Sequence, residues 1–155
     1  MVWKPRVTVA AIIEQNNRFL MVEEETSNGI AFNQPAGHLE EGETLIDAVT
    51  RETLEETAWH FRPESIIGIH LWQHPQKEET FLRVSFKGVV TSHDESLPMD
   101  DGIIQALWMS RDELASQPGK LRSPLVLSSI DDYLAGERYP LSILKSLLGS
   151  TCPNS

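Results

Sequence analysis

The spacing of apolar residues changes along the chain, and each change marks an element. Val7 to Ile13 is an apolar, largely β-branched run. Gln15-Asn16-Asn17 supplies turn residues and Phe19-Leu20-Met21-Val22 is apolar again, which predicts a strand-turn-strand hairpin. The Glu-rich stretch from Glu23 to Gly29 reads as a loop, and Pro35 and Gly37 end any strand running through Phe32. Thr44-Leu45-Ile46-Asp47 has the form of a capping box, a hydroxyl taking one orphan amide and an acid three positions on taking another, so a helix is expected from there to about Trp59. Ile66 to Trp72 is β-rich, His74 to Lys77 reads as a turn, and Leu82, Val84 and Phe86 alternate with Arg83, Ser85 and Lys87 as in a half-buried strand.

After an acidic loop, His93 to Asp101, a short strand is expected over Ile103 to Met109, and Ser110 with Glu113 forms a second capping box. Ser123-Pro124 reads as an N-cap followed by proline at the first helical position, and Val126, Ile130, Tyr133 and Leu134 recur at helical spacing before Gly136. Strands, helix, strands and helices in that order imply an α/β (α+β) domain, a mixed β-sheet with helices layered on it.

Composition narrows the function classes. The 155 residues suit a single core, and 40% hydrophobic with 23% charged residues places the chain among folding sequences. Asp and Glu total 23 against 13 Lys and Arg, a formal charge of -10, so the surface repels nucleic acid and anionic lipid. No run approaches the ~20 apolar residues of a membrane span. Val7 to Ile13 is short, contains Thr8 and runs into Glu14, a strand rather than a signal peptide. The single cysteine, Cys152, has no intrachain partner. A cytoplasmic protein with no nucleic-acid or membrane partner is expected, and a monomer is compatible with the sequence.

Chemistry concentrates between Gly37 and Trp59, where seven acids (Glu40, Glu41, Glu43, Asp47, Glu52, Glu55 and Glu56) face one base, Arg51. On a helix at about 100° per residue, Glu52 and Glu56 share the stripe of Leu45, Ala48, Val49 and Trp59, with Glu55 at its margin and Arg51 one turn before Glu55. An ionised carboxylate on a core-facing stripe costs several kcal/mol unless paired, and one Arg does not neutralise three. The economical counter-charge is a divalent cation, and oxygen donors without Cys or His select Mg²⁺ or Mn²⁺ over zinc. The alternative is a solvated acidic face, but the rotation that exposes the acids also exposes Leu45, Val49 and Trp59.

The segment resembles the Nudix box, G-x5-E-x7-R-E-U-x-E-E-x-G-U with U a bulky apolar residue. Gly37, Glu43, Arg51, Glu52, Glu55, Glu56 and Trp59 fall on it in register. Thr53 stands where an apolar residue is usual, and Ala58 replaces the glycine near the helix end, where a left-handed Ala costs roughly 1 kcal/mol relative to Gly. Asn33 to Glu40, Leu121 to Val126 and Arg138 to Leu141 extend the resemblance to the NudJ-like bacterial phosphatases over nearly the whole chain. The resemblance implies an α/β/α Nudix sandwich over residues 1–148, with the box at 37–59; the terminal residues 149–155 read as a flexible tail. It also implies Mg²⁺-dependent hydrolysis of a phosphoanhydride in a nucleoside di- or triphosphate or a thiamine-pathway pyrimidine diphosphate.

Carried onto this chain, the family pattern makes Glu52, Glu55, Glu56 and the Gly37 carbonyl the expected metal ligands. Arg51 orients a glutamate, and Glu43 supports the loop or the helix N-terminus. The general base is Glu52, Glu55 or a distal acid, for which Glu95, Asp100 and Asp101 are candidates against the alternative of a solvated turn. Arg122, just before the Ser123-Pro124 helix start, is a candidate phosphate ligand or a structural residue. Phe32, Trp72 and Trp3 are candidates for stacking on a base, against a place in the core, and Gln34 is expected to face the pocket. His38 has ordinary hydrogen bonding as its expected use. A sensor that binds a nucleotide or metabolite without cleaving it is the competing function, and such domains usually lose the box glutamates.

Overall fold

β1 (Arg6–Ile12) pairs antiparallel with β5 (Ala36–His38) on one edge and parallel with β7 (Thr80–His93) on the other. β6 (Trp59–Gln73) completes a four-stranded mixed sheet in the order β5-β1-β7-β6. The structure is a computed structural model that describes residues 2–148; the expected tail and Cys152 lie outside the described residues. A strand paired on both edges and covered on both faces is apolar at successive positions, and β1 is fully buried from Val9 to Ile12 for that reason.

The expected hairpin exists, but β1 is not one of its strands. β2 (Glu14–Gln15) turns into β3 (Arg18–Thr26) through Asn16 and Asn17, both left-handed at φ 51° and 63°. Because β5 and β7 occupy both edges of β1, β3 instead builds a second sheet with β4 (Gly29–Asn33) and β8 (Ile103–Met109). The Glu23–Gly29 stretch is correspondingly no loop: β3 continues to Thr26 and reverses into β4 at Gly29, whose φ is +108°. Half-exposed strand positions tolerate its glutamates, which composition alone assigned to a loop.

α1 (Leu45–Thr57) starts at the capping box. Thr44 Oγ1 accepts from Asp47 N at 3.0 Å and Asp47 Oδ2 accepts from Thr44 N at 3.2 Å. It ends at Ala58, whose φ of +62° is the left-handed cap that the box pattern gives to glycine. Ser110 caps α2 (Arg111–Ala115) in the same reciprocal way with Glu113. α3 (Leu125–Leu134) begins one residue later than expected, with Ser123 Oγ accepting from Leu125 N.

Alternation along the strands sends Val9, Ala11, Ile66, Val84 and Phe86 to a core under α1, and Ile12, Ile67, Phe19 and Met21 to a core under α2 and α3. The result is the expected α/β/α sandwich. The polar side of β7 departs from the half-buried reading. Arg83 is 4% and Ser85 0% exposed, because α3 covers that face and Ser129 meets Ser85. No helix among the described residues is long and apolar enough to cross a membrane.

Gln34 ties the layers together rather than facing the pocket. It is 1% exposed, Arg83 Nη2 donates to its Oε1 at 2.8 Å, and its Nε2 donates to Val126 O at 2.8 Å. Gln34→Leu strands a buried guanidinium and a carbonyl, so urea unfolding should show a loss of about 3 kcal/mol; an unchanged midpoint would contradict this structural role.

Candidate active site

The start of α1 decides which of its residues point inward, and Ala48, Val49, Thr53, Glu56 and Thr57 are buried. Thr53 is accommodated because its hydroxyl donates to Val49 O at 2.8 Å. Glu56 is 8% exposed, and its Oε1 accepts a hydrogen bond from Ala36 N in β5 at 2.9 Å. Burial pushes its pKa up to about 9; the Ala36 N–H opposes the shift, and Glu24, Glu52 and Asp100 add repulsion.

Glu52 lies one turn earlier, against Gly37. A Cβ at Gly37 would stand 2.1 Å from Glu52 Cδ, so the glycine clears space for this carboxyl. Burial raises the Glu52 pKa, and Arg51 opposes the rise. The Arg51 guanidinium grips Glu43 at both oxygens, Nε donating to Oε2 at 3.0 Å and Nη2 to Oε1 at 2.7 Å. Its Nη1 donates to Glu52 Oε1 at 2.8 Å and to Glu55 Oε1 at 2.9 Å, and Nη2 also reaches His38 O at 3.1 Å. These bonds, Glu43 first, hold Arg51 above its ordinary pKa.

Glu52, Glu55 and Asp100 each place a carboxylate oxygen within 4.8 Å of the others. Asp100 arrives from the loop between β7 and β8, where its N–H donates to Glu55 O at 3.1 Å. Asp100 is itself exposed, and partial desolvation together with the neighbouring Glu55 raises its pKa. An all-oxygen set of this kind suits a hard divalent cation, as does the desolvated, singly bonded Glu56 behind it. From Gly37, Glu52 and Glu56 a cleft of about 530 Å³ runs to Trp72 and Phe81.

A family model described as the NUDIX domain matches residues 4–128. The chain belongs to the Nudix family. Phosphatase NudJ of Escherichia coli strain K12 is 42% identical over 142 residues, covering 92% of each chain, and NudJ of Shigella flexneri matches to the same extent. The structure of a NUDIX hydrolase from Nitrosomonas europaea superposes with a TM-score of 0.91 at 48% identity, covering 94% of this chain and 99% of that one. A MutT NUDIX hydrolase from Burkholderia pseudomallei shares the fold, with a TM-score of 0.72 at 17% identity over 84% of this chain and 98% of its own. The chain is thus a Nudix hydrolase and a NudJ homologue. Members of this family typically depend on a divalent metal and act on small phosphorylated substrates.

The Nudix box residues Gly37, Glu43, Arg51, Glu52, Glu55 and Glu56 converge in space, and Asp100 joins them. Glu95 and Asp101 are exposed and outside the carboxylate cluster. Arg122 lines the cleft, its Nη1 donating to Glu24 Oε1 at 2.9 Å. Trp72 also lines it, stacked on Phe81 at 5.6 Å between centroids. Phe32, at 6% exposure, packs in the core under α3, and Trp3, at 68%, stands outside the cleft. Sequence reasoning missed Asn33 and Arg83 as cleft residues. Arg83 occupies a polar slot in a period-two strand, which looks the same whether water or α3 covers it.

The sign of the Glu56 effect on stability follows from linkage. Its folded pKa of about 9 lies above its ordinary 4.5, so its contribution is intact below about 4.5 and is lost as pH rises toward 9. In metal-free buffer the stability of Glu56→Gln should therefore gain on that of the native chain as pH rises through this window, measured by urea unfolding. A constant difference between the two would contradict a protonated, buried Glu56.

Proposed function

We propose that the chain is a Mg²⁺-dependent phosphoanhydride hydrolase, with Mn²⁺ as an alternative ion. Its proposed substrates are nucleoside di- and triphosphates or a thiamine-pathway pyrimidine diphosphate, attacked by water at phosphorus. The observation that carries this reading is the cluster of Glu52, Glu55 and Asp100 carboxylates, of which Glu52 lines, together with buried Glu56, a cleft that reaches Trp72 and Phe81. NudJ homology at 42% identity supports the substrate class.

Glu52, Glu55, Glu56 and the Gly37 carbonyl would hold the metal, with Asp100 as a further acid within reach. A bound divalent ion supplies charge neutralisation for the phosphate oxygens and acidifies a coordinated water. The protein's own groups do the rest. Arg51 fixes the Glu52 and Glu55 carboxylates, so that one oxygen of this cluster can take the proton of the attacking water. Arg122 offers its guanidinium to a phosphate oxygen from the cleft wall, held in place by Glu24. Trp72 gives the organic part of the substrate a flat surface.

A panel of nucleoside and pyrimidine diphosphates with Mg²⁺, assayed separately for orthophosphate and pyrophosphate, tests the reading and reports which phosphorus is attacked. Glu56→Gln should lower turnover by about 100-fold or more with the fold retained, and EDTA should abolish it. Gly37→Ala should also cut turnover, because its Cβ occupies the Glu52 carboxyl position. Full activity in EDTA or in Glu56→Gln would overturn the proposal.

A further inference from the structure

Two residues that line the cleft carry buried polar atoms with no part in the chemistry above. Asn33 Oδ1 and Arg83 Nε are buried without a hydrogen-bond partner among the described residues, and both residues line the cleft. Leaving such atoms unpaired costs roughly 1–3 kcal/mol each, more for a charged group. Arg83 is 4% exposed, and its direction is fixed by the bond from Nη2 to Gln34, which Val126 O anchors in turn. Asn33 precedes Gln34 in the chain, so its backbone adjoins the strut that Gln34 forms with Arg83 and Val126. Trp72, its ring within 25° of parallel to Phe81, provides an aromatic face in the same cleft.

We propose that Asn33 and Arg83 are specificity-determining residues that read the polar edge of a planar heterocycle on the substrate. Arg83 Nε–H donates to an acceptor on that edge, Asn33 Oδ1 accepts from a neighbouring N–H, and the ring lies against Trp72. That the heterocycle carries a diphosphate rests on the hydrolase reading above.

The pair of orphans selects among ligand chemistries. An ionised phosphate presents acceptors alone, which would satisfy Arg83 and leave Asn33 Oδ1 unpaired. A metal ion would take Asn33 Oδ1 and be repelled by the Arg83 guanidinium. A nucleobase edge, with a ring nitrogen or carbonyl beside an N–H, satisfies both. A site built to hydrogen-bond such an edge rejects an analogue that lacks it, because its own buried groups are then left unpaired.

The test compares CDP and UDP with the riboside diphosphate in which a phenyl ring replaces the base, a ligand with the same sugar and a stackable ring but no polar edge. The native enzyme should favour at least one of the two nucleotides over the phenyl analogue in kcat/KM, and Asn33→Ala should reduce that ratio by about tenfold. Asn33→Asp, which keeps an acceptor, should retain it. An unchanged ratio for both nucleotides in folded Asn33→Ala, or equal loss in Asn33→Asp, would overturn the assignment. Calorimetric binding of CMP, UMP and the phenyl monophosphate reads the same preference without turnover. If no diphosphate is hydrolysed but this preference is present and lost in Asn33→Ala, the hydrolase reading fails and the recognition site stands.

Discussion

One guanidinium holds the acidic side of α1 in place. Arg51 spans Glu43, Glu52 and Glu55, and without it three carboxylates would repel one another across a short stretch of helix and loop. It leaves Glu56 alone: that carboxyl is pressed against β5 with one backbone N–H for company, and burial disfavours its charge. The site is therefore short of positive charge by its geometry, an arrangement that suits a divalent cation.

The sandwich serves this arrangement. β5 is the edge partner of β1, and its brief pairing at Ala36, Gly37 and His38 sets a backbone N–H, a side-chain-free residue and a carbonyl beside the inward face of α1. The loop before β8 brings Asp100 to the same place, from a segment more than forty residues away in sequence. On the α3 side of the sheet, Gln34 connects β7 to the first turn of α3 and so stiffens the floor of the cleft. A rigid floor matters because a hydrolase gains rate from holding its groups and its substrate in fixed relation.

What was legible in the sequence was local. Thr44 and Asp47 announce the start of α1, and once the start is known the register of Glu52, Glu55 and Glu56 follows from helical geometry. The left-handed turn at Ala58 was signalled only by the glycine that the box pattern places there, and the alanine keeps that conformation. What was illegible depended on contacts distant along the chain. Glu23 to Gly29 is polar enough for a loop, yet pairing with β8 makes its first part a strand. Arg83 and Ser85 carry the mark of an exposed strand face, and only the arrival of α3 buries them. Gln34 is next to the box and polar, which suggested the pocket; its two partners, Arg83 and Val126, are 49 and 92 residues away. Among three acids in one loop, Asp100 alone joins the cluster, a choice made by the backbone bond to Glu55 rather than by composition.

The most direct measurement of the central claim is the proton count on Mg²⁺ binding. Calorimetric titration at about pH 7 in buffers of different ionisation enthalpy should show close to one proton released, because Glu56, with its pKa pushed up to about 9, must ionise to meet the ion. Affinity should then rise with pH up to that value, and the release should vanish in Glu56→Gln. Tight Mg²⁺ binding with no proton release, and an affinity indifferent to pH between about 6 and 8, would contradict the account.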